Sequence, residues 1–466
     1  MMYQVPEHID RNKIFIVKRS EIDGRLDPKM ALYNRKVRHT LYPKVKLKDI
    51  LVCKPQYGAS EPGVTRTNTL EPRYIRITDI DNYGLICNEE MGATAANIED
   101  KYILFENDIL IARSGATVGK SYIHKKKPYS CFFAGYLIRF TIDKNKALPE
   151  YIFTYTQLNT YKEWINAVQR PSGQPNINSE EYQSLEIPLP NIIVQQEIVN
   201  IINSAYNQKL QKESEAQQLL DSIDTYILNE LGITLPEIKT DLKSRMFLVN
   251  RSKLEGRFDP TVYKNEIKLI SSKYENVRLS NVAFVNPNGV FNGKDISTPI
   301  SFIPMEAIDE VYSEITSTNE TLIENSSGFT KFKEGDLLWA KITPCMQNGK
   351  SAIAKKLVNG LGCGSTEFFV IRPKNANLLI EYLHIILHMR CVRETAKLYF
   401  GGSAGQQRVA TSFIENFNLP LPHCEKQQEM VTHIYNLRQR AKTFQEEGRA
   451  FLENAKKEIE QMIIGK

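Results

Sequence analysis

Apolar positions along this chain follow two periods, one in short runs and one in two long stretches. The short runs are rich in β-branched and aromatic residues and are separated by turn residues. They read YIRITDI, DILIARSG, GKSYIH and CFFAGYLIRFTI in the first half, and SFIPMEAI, DLLWAKI, GKSAIA and EFFVIRP in the second. This pattern predicts short β-strands. An amphipathic helix is predicted after each set, near residues 149–168 and 377–398.

The second period is that of a coiled coil. From Gln427 onward, apolar or small residues recur in alternating steps of four and three, with Glu458 as the exception. The corresponding stretch of the first half has the same seam, interrupted by Lys209 and Lys212. Such spacing puts apolar side chains on one helix face, which predicts helices that pack against a partner helix. The expected seam residues are Ile198, Ile202, Leu219, Ile223, Ile434, Leu437 and Phe451.

The length of these helices indicates that they pair with each other. Residues 192–231 as one helix would measure about 60 Å, at 1.5 Å per residue. A helix of that length cannot bury both of its faces on a small domain. If the two helices pair antiparallel, the two globular halves of the chain would sit at opposite ends of a rod. Gly232 and Pro236 are typical of the end of the first helix.

The chain also contains an internal duplication. Residues 15–28 (FIVKRSEIDGRLDP) and 247–260 (FLVNRSKLEGRFDP) are identical at eight of fourteen positions, at an offset of 232. The same order continues downstream in ENDILIAR and EGDLLWAK, in VGKSYI and NGKSAI, and in IPLP and LPLP, each followed after four residues by QQE. A period this long indicates two copies of one domain and is too long for a solenoid.

These patterns together predict an α+β fold. It consists of two repeated mixed α/β domains, joined and followed by long helices that form an antiparallel coiled coil. The predicted segments are an N-terminal extension (1–14), a first domain (15–190), a first long helix (191–232), a linker (233–246), a second domain (247–422) and a second long helix (423–466).

Composition narrows the classes of function. The 466 residues include 60 lysines and arginines against 54 aspartates and glutamates, and this net charge of +6 permits a nucleic-acid partner without requiring one. The seven cysteines form no CxxC pair, and the N-terminus has no signal-peptide pattern, so a cytoplasmic protein with reduced thiols is expected. No uncharged apolar run reaches the roughly 18 residues that a membrane-spanning helix needs.

Two motifs suggest chemistry, and both are weak. The segment SGATVGKS (114–121) approaches a phosphate-binding loop, but Ser114 stands where the first glycine is needed, and the flanks read strand–turn–strand. His384, His388 and Cys391 have the spacing of metal ligands on one helix face, yet the first copy has no histidine there. Incidental histidines on a partly buried helix are the favoured interpretation. The sequence therefore predicts neither a catalytic site nor a metal site.

Polar residues gather on the predicted turns of both copies. Arginine, asparagine and glutamine can read base edges, while lysine and backbone amides hold phosphates. These residue types recur at the same places in both copies while individual residues change, as between Asn176 and Arg408. Two DNA readers with different targets would show this pattern. The candidate DNA-binding residues are Arg113, Ser114, Lys120, Gln174, Asn176, Lys341, Thr343, Gln347, Lys350, Gln406, Gln407 and Arg408.

The ordered motifs resemble those of a type I restriction-modification specificity subunit. The resemblance rests on the strand–GK–strand segments, the GQPNI and GQQRV loops, and the junctions in which IPLP or LPLP leads into QQE and a helix. It covers nearly the whole chain, from about residue 15 to the end. It implies two target-recognition domains that each read one half of a bipartite, asymmetric DNA site, and helices that set the spacing between them.

The resemblance also implies partners. Two modification (methyltransferase) subunits would bind this chain, and restriction (translocase-nuclease) subunits would join the full complex. S-adenosylmethionine, ATP and magnesium would belong to those partners, so this chain would carry no cofactor and would not be an enzyme by itself. Two other functions remain open on the sequence alone. One is a coiled-coil adaptor that binds no nucleic acid, and the other is an NTP-dependent enzyme that uses the 114–121 loop.

Overall fold

The computed structural model describes residues 27–87, 91–96, 99–169, 175–236, 265–402 and 406–465, together with residues 10, 16 and 262. Most of the predicted N-terminal extension lies outside the described residues, as do most of the repeated segments 15–28 and 247–260 and most of the predicted linker. Gln174 lies outside them too. Among the described helices, none combines the length and the apolar character that crossing a membrane would require.

The chain divides into two compact units. Unit 1 comprises Met1–Glu213 and Gln445–Lys466, and unit 2 comprises Ser214–Phe444. This division differs from the predicted succession of domain, helix, domain and helix. The reason is that each long helix is divided between the units, and the end of each helix completes a core that the other repeat begins.

Unit 1 contains two four-stranded sheets and a strand pair. The first sheet is antiparallel, with the order Gln56–Tyr57, Leu137–Phe140, Ile109–Ala112 and Ser121–Ile123. The second has the order Val64–Thr65, Ala93–Thr94, Arg73–Ile75 and Cys131–Phe133, and its last two strands are parallel. Lys44–Lys46 pairs with Glu186–Pro188. The α-helices are Pro28–Lys36, Pro149–Tyr155, Asn159–Val168, Ser179–Gln183, the first part of Ile192–Leu231 and the last part of Cys424–Ile464.

Unit 2 repeats the antiparallel sheet and the first strand pair of unit 1, while its second sheet has a different edge strand. Its antiparallel sheet has the order Ala283–Val285, Phe368–Pro373, Leu337–Ala340 and Ser351–Ile353. The other sheet has the order Asn319–Leu322, Pro299–Ile303, Leu361–Gly364 and Thr330–Lys333, with a parallel pair at its centre. The strand pairs are Asn276–Arg278 with Asn418–Pro420 and Phe400–Gly401 with Arg408–Val409. The α-helices are the last part of Ile192–Leu231, Leu279–Val282, Ile380–His388, Arg390–Lys397, Thr411–Asn416 and the first part of Cys424–Ile464. The predicted duplicated mixed α/β architecture is thus confirmed.

The end of the second long helix completes the core of unit 1. Ile459 and Ile463 are buried in the same apolar cluster as Trp164 and Tyr182. Thr160 donates to Glu460 Oε1 from both its backbone nitrogen and its hydroxyl, at 2.7 and 2.8 Å. These contacts tie the last turns of the helix to the domain that the first repeat encodes.

The end of the first long helix does the same for unit 2. Ile223, Ile227 and Leu231 are buried in one cluster with Trp339 and Ile434. The backbone nitrogen of Arg390 donates to the Asp224 carboxylate at 2.9 Å. Each long helix therefore contributes to a hydrophobic core as well as to the coiled coil.

Within each unit the two helix segments run antiparallel, as predicted. In unit 1, Lys212 pairs with Glu447 at 2.8 Å, and Gly448 lies so close to Lys209 that a Cβ would stand 3.3 Å from its carbonyl oxygen. In unit 2, the rings of Tyr226 and His433 stack at 4.1 Å, and Glu230 pairs with Lys426 at 2.6 Å. In both units, residue numbers rise on one helix as they fall on the other.

The two lysines that interrupt the predicted seam have partners in unit 1. The ammonium of Lys209 is buried 4.4 Å from the ring centroid of Tyr83 and pairs with Glu213 at 2.8 Å. Lys212 pairs with Glu447 across the helices. A ring face and a carboxylate offset the cost of placing a cation inside the helix pair.

In part of the second long helix, the buried positions differ from those of the predicted seam. Ile198, Ile223 and Ile434 are buried, and Ile202, Leu219 and Leu437 are half-buried. Phe451 was expected in the seam, but this prediction is wrong: it is 37% exposed, and Leu452 is buried in its place. A straight helix drifts about 20° per heptad from the ideal repeat, so the drift over the three heptads from Met430 to Phe451 is about 60°, which is more than half of the roughly 100° between successive residues. The buried positions consequently shift by one towards the C-terminus.

Candidate nucleic-acid interface

The predicted hairpin and the predicted loop of unit 1 lie against each other. Arg113 O accepts a hydrogen bond from Ile177 N at 2.8 Å, and Gly115 N donates to Pro175 O at 2.9 Å. Ser114 and Asn176 face each other in an antiparallel bridge. Three of the candidate residues, Arg113, Ser114 and Asn176, are thereby brought together by backbone hydrogen bonds.

The side chains of this cluster differ in how much they can reach a ligand. The Arg113 guanidinium is half-buried and lies 4.9 Å from the ring centroid of Tyr57, which holds it against the domain. Asn176 is exposed. Arg113 N donates to the carbonyl of Tyr136, whose side chain is 62% exposed. Asn176 and Tyr136 are therefore two accessible side chains at this end of the sheet.

The glycine-containing turn 115–120 does not have the geometry of a nucleotide-binding loop. Gly115–Thr117 form a single helical turn, and Ser121–Ile123 then form a strand that pairs with Ile109–Ala112. A phosphate-binding loop leads into a helix whose N-terminus holds the phosphates. Lys120 instead lines a cleft of about 590 Å³ together with Lys162 and Gln169.

Unit 2 brings its candidate residues together in the same register. Lys341 O accepts from Val409 N at 2.9 Å, and Thr343 N donates to Gln407 O at 3.0 Å. Arg408 faces Ile342 in the bridge that corresponds to the one between Ser114 and Asn176. Lys341, Thr343, Gln407 and Arg408 thus form one polar cluster.

The Arg408 guanidinium forms an ion pair with Glu367, a residue that the sequence pattern did not indicate. Its Nε lies 2.9 Å from Glu367 Oε2, its Nη2 lies 2.8 Å from Glu367 Oε1, and its Nη1 donates to Gln406 O at 3.0 Å. Beside it lies a cleft of about 410 Å³ lined by Lys341, Tyr399 and Phe400, among others. Cationic, amide and aromatic groups therefore meet at one solvent-facing place.

Two candidate residues of unit 2 lie outside this cluster. The ammonium of Lys350 donates to Met305 O at 3.3 Å, and the carbonyl of Gln347 accepts a hydrogen bond from Arg393. The Lys350 side chain thus already takes part in the internal hydrogen bonding of unit 2. A contact of either residue with DNA stays a prediction.

The residues that sequence reasoning missed are Tyr136 and Glu367. They are equivalent, because Arg113 N donates to Tyr136 O in unit 1 as Lys341 N donates to Glu367 O in unit 2. Each directly precedes a central strand, Leu137–Phe140 or Phe368–Pro373. Alignment of FAGYLIRF with GSTEFFVIRP could have pointed to them.

Two histidines of unit 2, His384 and His388, serve the fold. His384 Nε2 lies 3.0 Å from Ser351 Oγ, and His388 Nε2 lies 3.3 Å from Glu310 O. Burial, followed by the positive charge of Arg438, lowers the pKa of both imidazoles, that of His388 to about 3. Within the described part of the chain, no group of three or more histidine, cysteine or acidic residues is placed to hold a metal ion.

These low pKa values predict acid sensitivity of unit 2. An unfolded histidine has a pKa of about 6.5, so below that pH the unfolded state binds protons that the folded state excludes. The stability of unit 2 should therefore decline as the pH falls from about 6.5 towards 3, the pKa of His388 being about 3. Thermal melting at stepwise pH should show this, and His388→Gln should flatten the dependence.

The matched control is His39→Gln, which replaces an exposed histidine of unit 1. It should leave the acid dependence of unit 2 unchanged. Equal slopes for His388→Gln and the unmodified chain, within the error of the melts, would contradict the prediction.

Comparison with known proteins matches both repeats to one family. A model described as "Type I restriction modification DNA specificity domain" matches residues 44–221 and again residues 271–449. The type I restriction enzyme EcoEI specificity subunit of Escherichia coli is 35% identical over 163 residues, which make up 34% of this chain and 26% of that protein. The match thus spans about a quarter of that relative.

Two more distant likenesses cover more of the chain. The MjaVIII specificity subunit of Methanocaldococcus jannaschii is 20% identical over 374 residues, which are 78% of this chain and 79% of that protein. A chain from a solved structure of the type I R-M system is 15% identical with a TM-score of 0.49, over 91% of this chain and 96% of that chain. Because the family model accounts for most of the sequence in two successive copies, this chain belongs to the type I restriction modification DNA specificity domain family.

Proposed function

We propose that this chain is the sequence-specific DNA-binding subunit of a type I restriction-modification complex. Each unit would read one half of a bipartite, asymmetric DNA site. One observation carries the proposal: the two units hold a polar loop in the same backbone register but present different side chains there, Asn176 in one and Arg408 in the other. A shared scaffold with different side chains at its exposed tips is what two different half-sites require.

The chemistry of these clusters suits DNA. Arginine and asparagine make bidentate hydrogen bonds to base edges in the major groove, and lysines contact phosphates without regard to sequence. Lys120 and Lys341 would supply phosphate contacts beside the two loops. In this proposal the chain selects the DNA site in the cytoplasm. Partner subunits would bind the methyl donor S-adenosylmethionine, ATP and magnesium.

The long helices would set the spacing of the half-sites and bind two modification subunits, with restriction subunits joining them. Exposed apolar side chains on the helices support this role. Ile193 is 79% exposed, and together with Ile192, Ile201 and Phe451 it lines one groove within unit 1. Polar residues such as Gln196, Glu197 and Asn454 line the same groove. Exposed apolar side chains grouped among polar ones are typical of a protein interface, whereas isolated exposed apolar residues are common on any surface.

Exchange of one recognition region tests the proposal. Residues 44–190 are replaced by the equivalent segment of a family member with a different known site, so that both long helices are retained. The host's methylated sequences are then read with the partner subunits present. We expect one half of the site to change and the other half to persist.

The reciprocal exchange of residues 276–420 is the matched control, and it should change the other half alone. Changes in both halves, or in neither, would contradict the proposal that each unit reads one half of the site. DNA binding by the complex should also weaken steeply with salt, because phosphate contacts release counterions. A flat salt response would favour an adaptor that binds no nucleic acid.

A further inference from the structure

Two pairs of equivalent residues distinguish the polar clusters of the two units. Asn176 of unit 1 and Arg408 of unit 2 occupy equivalent backbone positions in the bridges to Ser114 and Ile342. Tyr136 and Glu367 are equivalent as well, by the hydrogen bonds that their carbonyl groups accept. Unit 2 thus carries an arginine–carboxylate pair where unit 1 carries an asparagine and a tyrosine.

The Arg408 guanidinium is oriented but keeps free donors. It has five N–H groups. Among the described residues, Glu367 accepts from Nε and Nη2, and Gln406 O accepts from Nη1. One N–H group therefore remains on each terminal nitrogen. The side chain is 44% exposed, so these two groups can reach a ligand.

Glu367 makes a base a better ligand for Arg408 than a phosphate. A bidentate carboxylate fixes the plane of a guanidinium, which gives geometric specificity. It also cancels the net charge that a sequence-independent phosphate contact uses. The two remaining N–H donors, one on each terminal nitrogen, are the number that the O6 and N7 acceptors of guanine require in the major groove.

We propose that Arg408 reads a guanine in the half-site of unit 2, with Glu367 as its positioning residue, and that Asn176 reads an adenine in the half-site of unit 1. This inference rests on the proposed function. The Asn176 amide can donate one N–H to N7 of adenine while its carbonyl oxygen accepts from N6, whereas guanine presents two acceptors. Unit 1 has Tyr136 where unit 2 has Glu367. The Asn176 amide needs no carboxylate partner, because it is uncharged.

The test uses the full chain assembled with its modification subunits. Methylation rates are measured on duplexes that carry each of the four base pairs at the guanine position. The unmodified chain should prefer guanine roughly ten- to a hundredfold. Arg408→Lys should reduce this preference to a few-fold at that position alone, because lysine keeps the charge but lacks the planar fork. The salt dependence of DNA binding should then stay unchanged.

Further variants separate base reading from a structural role. Glu367→Gln should lower the guanine preference at the same position, whereas a merely structural role would slow methylation of all four duplexes equally. Asn176→Ala should relax one adenine position in the other half-site. The control is Lys355→Gln, which breaks an exposed lysine–carboxylate pair elsewhere in unit 2, at 2.9 Å from Glu381, and should change no preference. Arg408→Gln replaces Arg408→Lys if the latter does not fold.

The outcomes distinguish the inference from the proposed function. The inference is overturned if the half-site assigned to unit 2 by the exchange contains no required guanine, or if Arg408→Lys and Arg408→Gln retain the full preference. Bipartite methylation by the unmodified complex would still uphold the proposed function in that case. Failure of the unmodified complex to methylate any bipartite site would overturn the proposed function itself.

Discussion

Replacing Ile459 with aspartate should abolish the fold of unit 1 and affect unit 2 much less. Ile459 is fully buried in the unit 1 core, although it belongs to the helix that follows the second repeat. Truncation of a buried isoleucine to alanine costs about 2–5 kcal/mol, and an unpaired buried carboxylate adds several more. A domain is stable by about 5–15 kcal/mol, so the change consumes most of that margin.

Hydrogen exchange resolved by segment measures this effect. The strand Ile109–Ala112 of unit 1 should lose protection in the Ile459→Asp chain, while Leu337–Ala340 of unit 2 keeps it. The matched control is Lys457→Asp, which places the same carboxylate on an exposed position of the same helix. Native protection of Ile109–Ala112 in the Ile459→Asp chain would show that the helix end does not complete this core.

Replacing Asp336 with alanine should destabilise unit 2 by about 3–5 kcal/mol, the range for removing one partner of a buried ion pair. Asp336 is 1% exposed, and its two oxygens accept from Arg372 Nε and Nη2 at 2.7 Å each. Asp336 Oδ2 also accepts from Lys333 N at 2.8 Å. Removal of the carboxylate leaves all three of these N–H groups without their acceptor. Urea unfolding of the variant reports the loss.

The equivalent position in unit 1 suggests a substitution at the Asp336–Arg372 pair that is less disruptive than Asp336→Ala. In unit 1 the equivalent Asp108 accepts from the hydroxyl of Thr141 at 2.6 Å, and Thr141 stands where unit 2 has Arg372. Arg372→Thr keeps a hydrogen bond to Asp336 but removes its cation, a role that Arg139 fills beside Asp108 at 3.6 Å. It should therefore still destabilise unit 2, though by less than Asp336→Ala. Glu324→Ala removes an exposed carboxylate of unit 2 and serves as the control, with an expected change within about 0.5 kcal/mol. Equal losses for Asp336→Ala and Glu324→Ala would contradict the argument.

Local patterns were enough to predict several elements of the fold, although each amphipathic helix predicted near 149–168 and 377–398 is two helices, Pro149–Tyr155 with Asn159–Val168 and Ile380–His388 with Arg390–Lys397. DILIAR and DLLWAK form the strands Ile109–Ala112 and Leu337–Ala340, and the first heptad stretch forms the helix Ile192–Leu231. The ends of the helices could not be assigned in the same way. A heptad seam describes a helix that packs on another helix, whereas Ile459 and Ile463 pack on a domain encoded more than 250 residues earlier in the sequence. Their burial depends on tertiary contacts that no local period encodes.

The candidate site was predictable to a similar extent. The duplication pointed to Asn176 and Arg408 because polar loops recurred at the same place in both copies. Glu367 was missed because it lies 41 residues from Arg408 in the sequence, and only the sheet register brings them together. The hydrogen bond from the Lys350 ammonium to Met305 O likewise depends on loop geometry, which composition does not encode.

The sharing of both long helices between the units has a consequence for fragments of this protein. A break in the segment between Pro236 and Lys268 would give two pieces, each with one globular repeat and one complete long helix. Neither piece alone would hold a finished hydrophobic interior, since Ile459 would be severed from one and Ile227 from the other. Mixed together, the pieces contain every missing part, so co-expression should restore what separate production cannot.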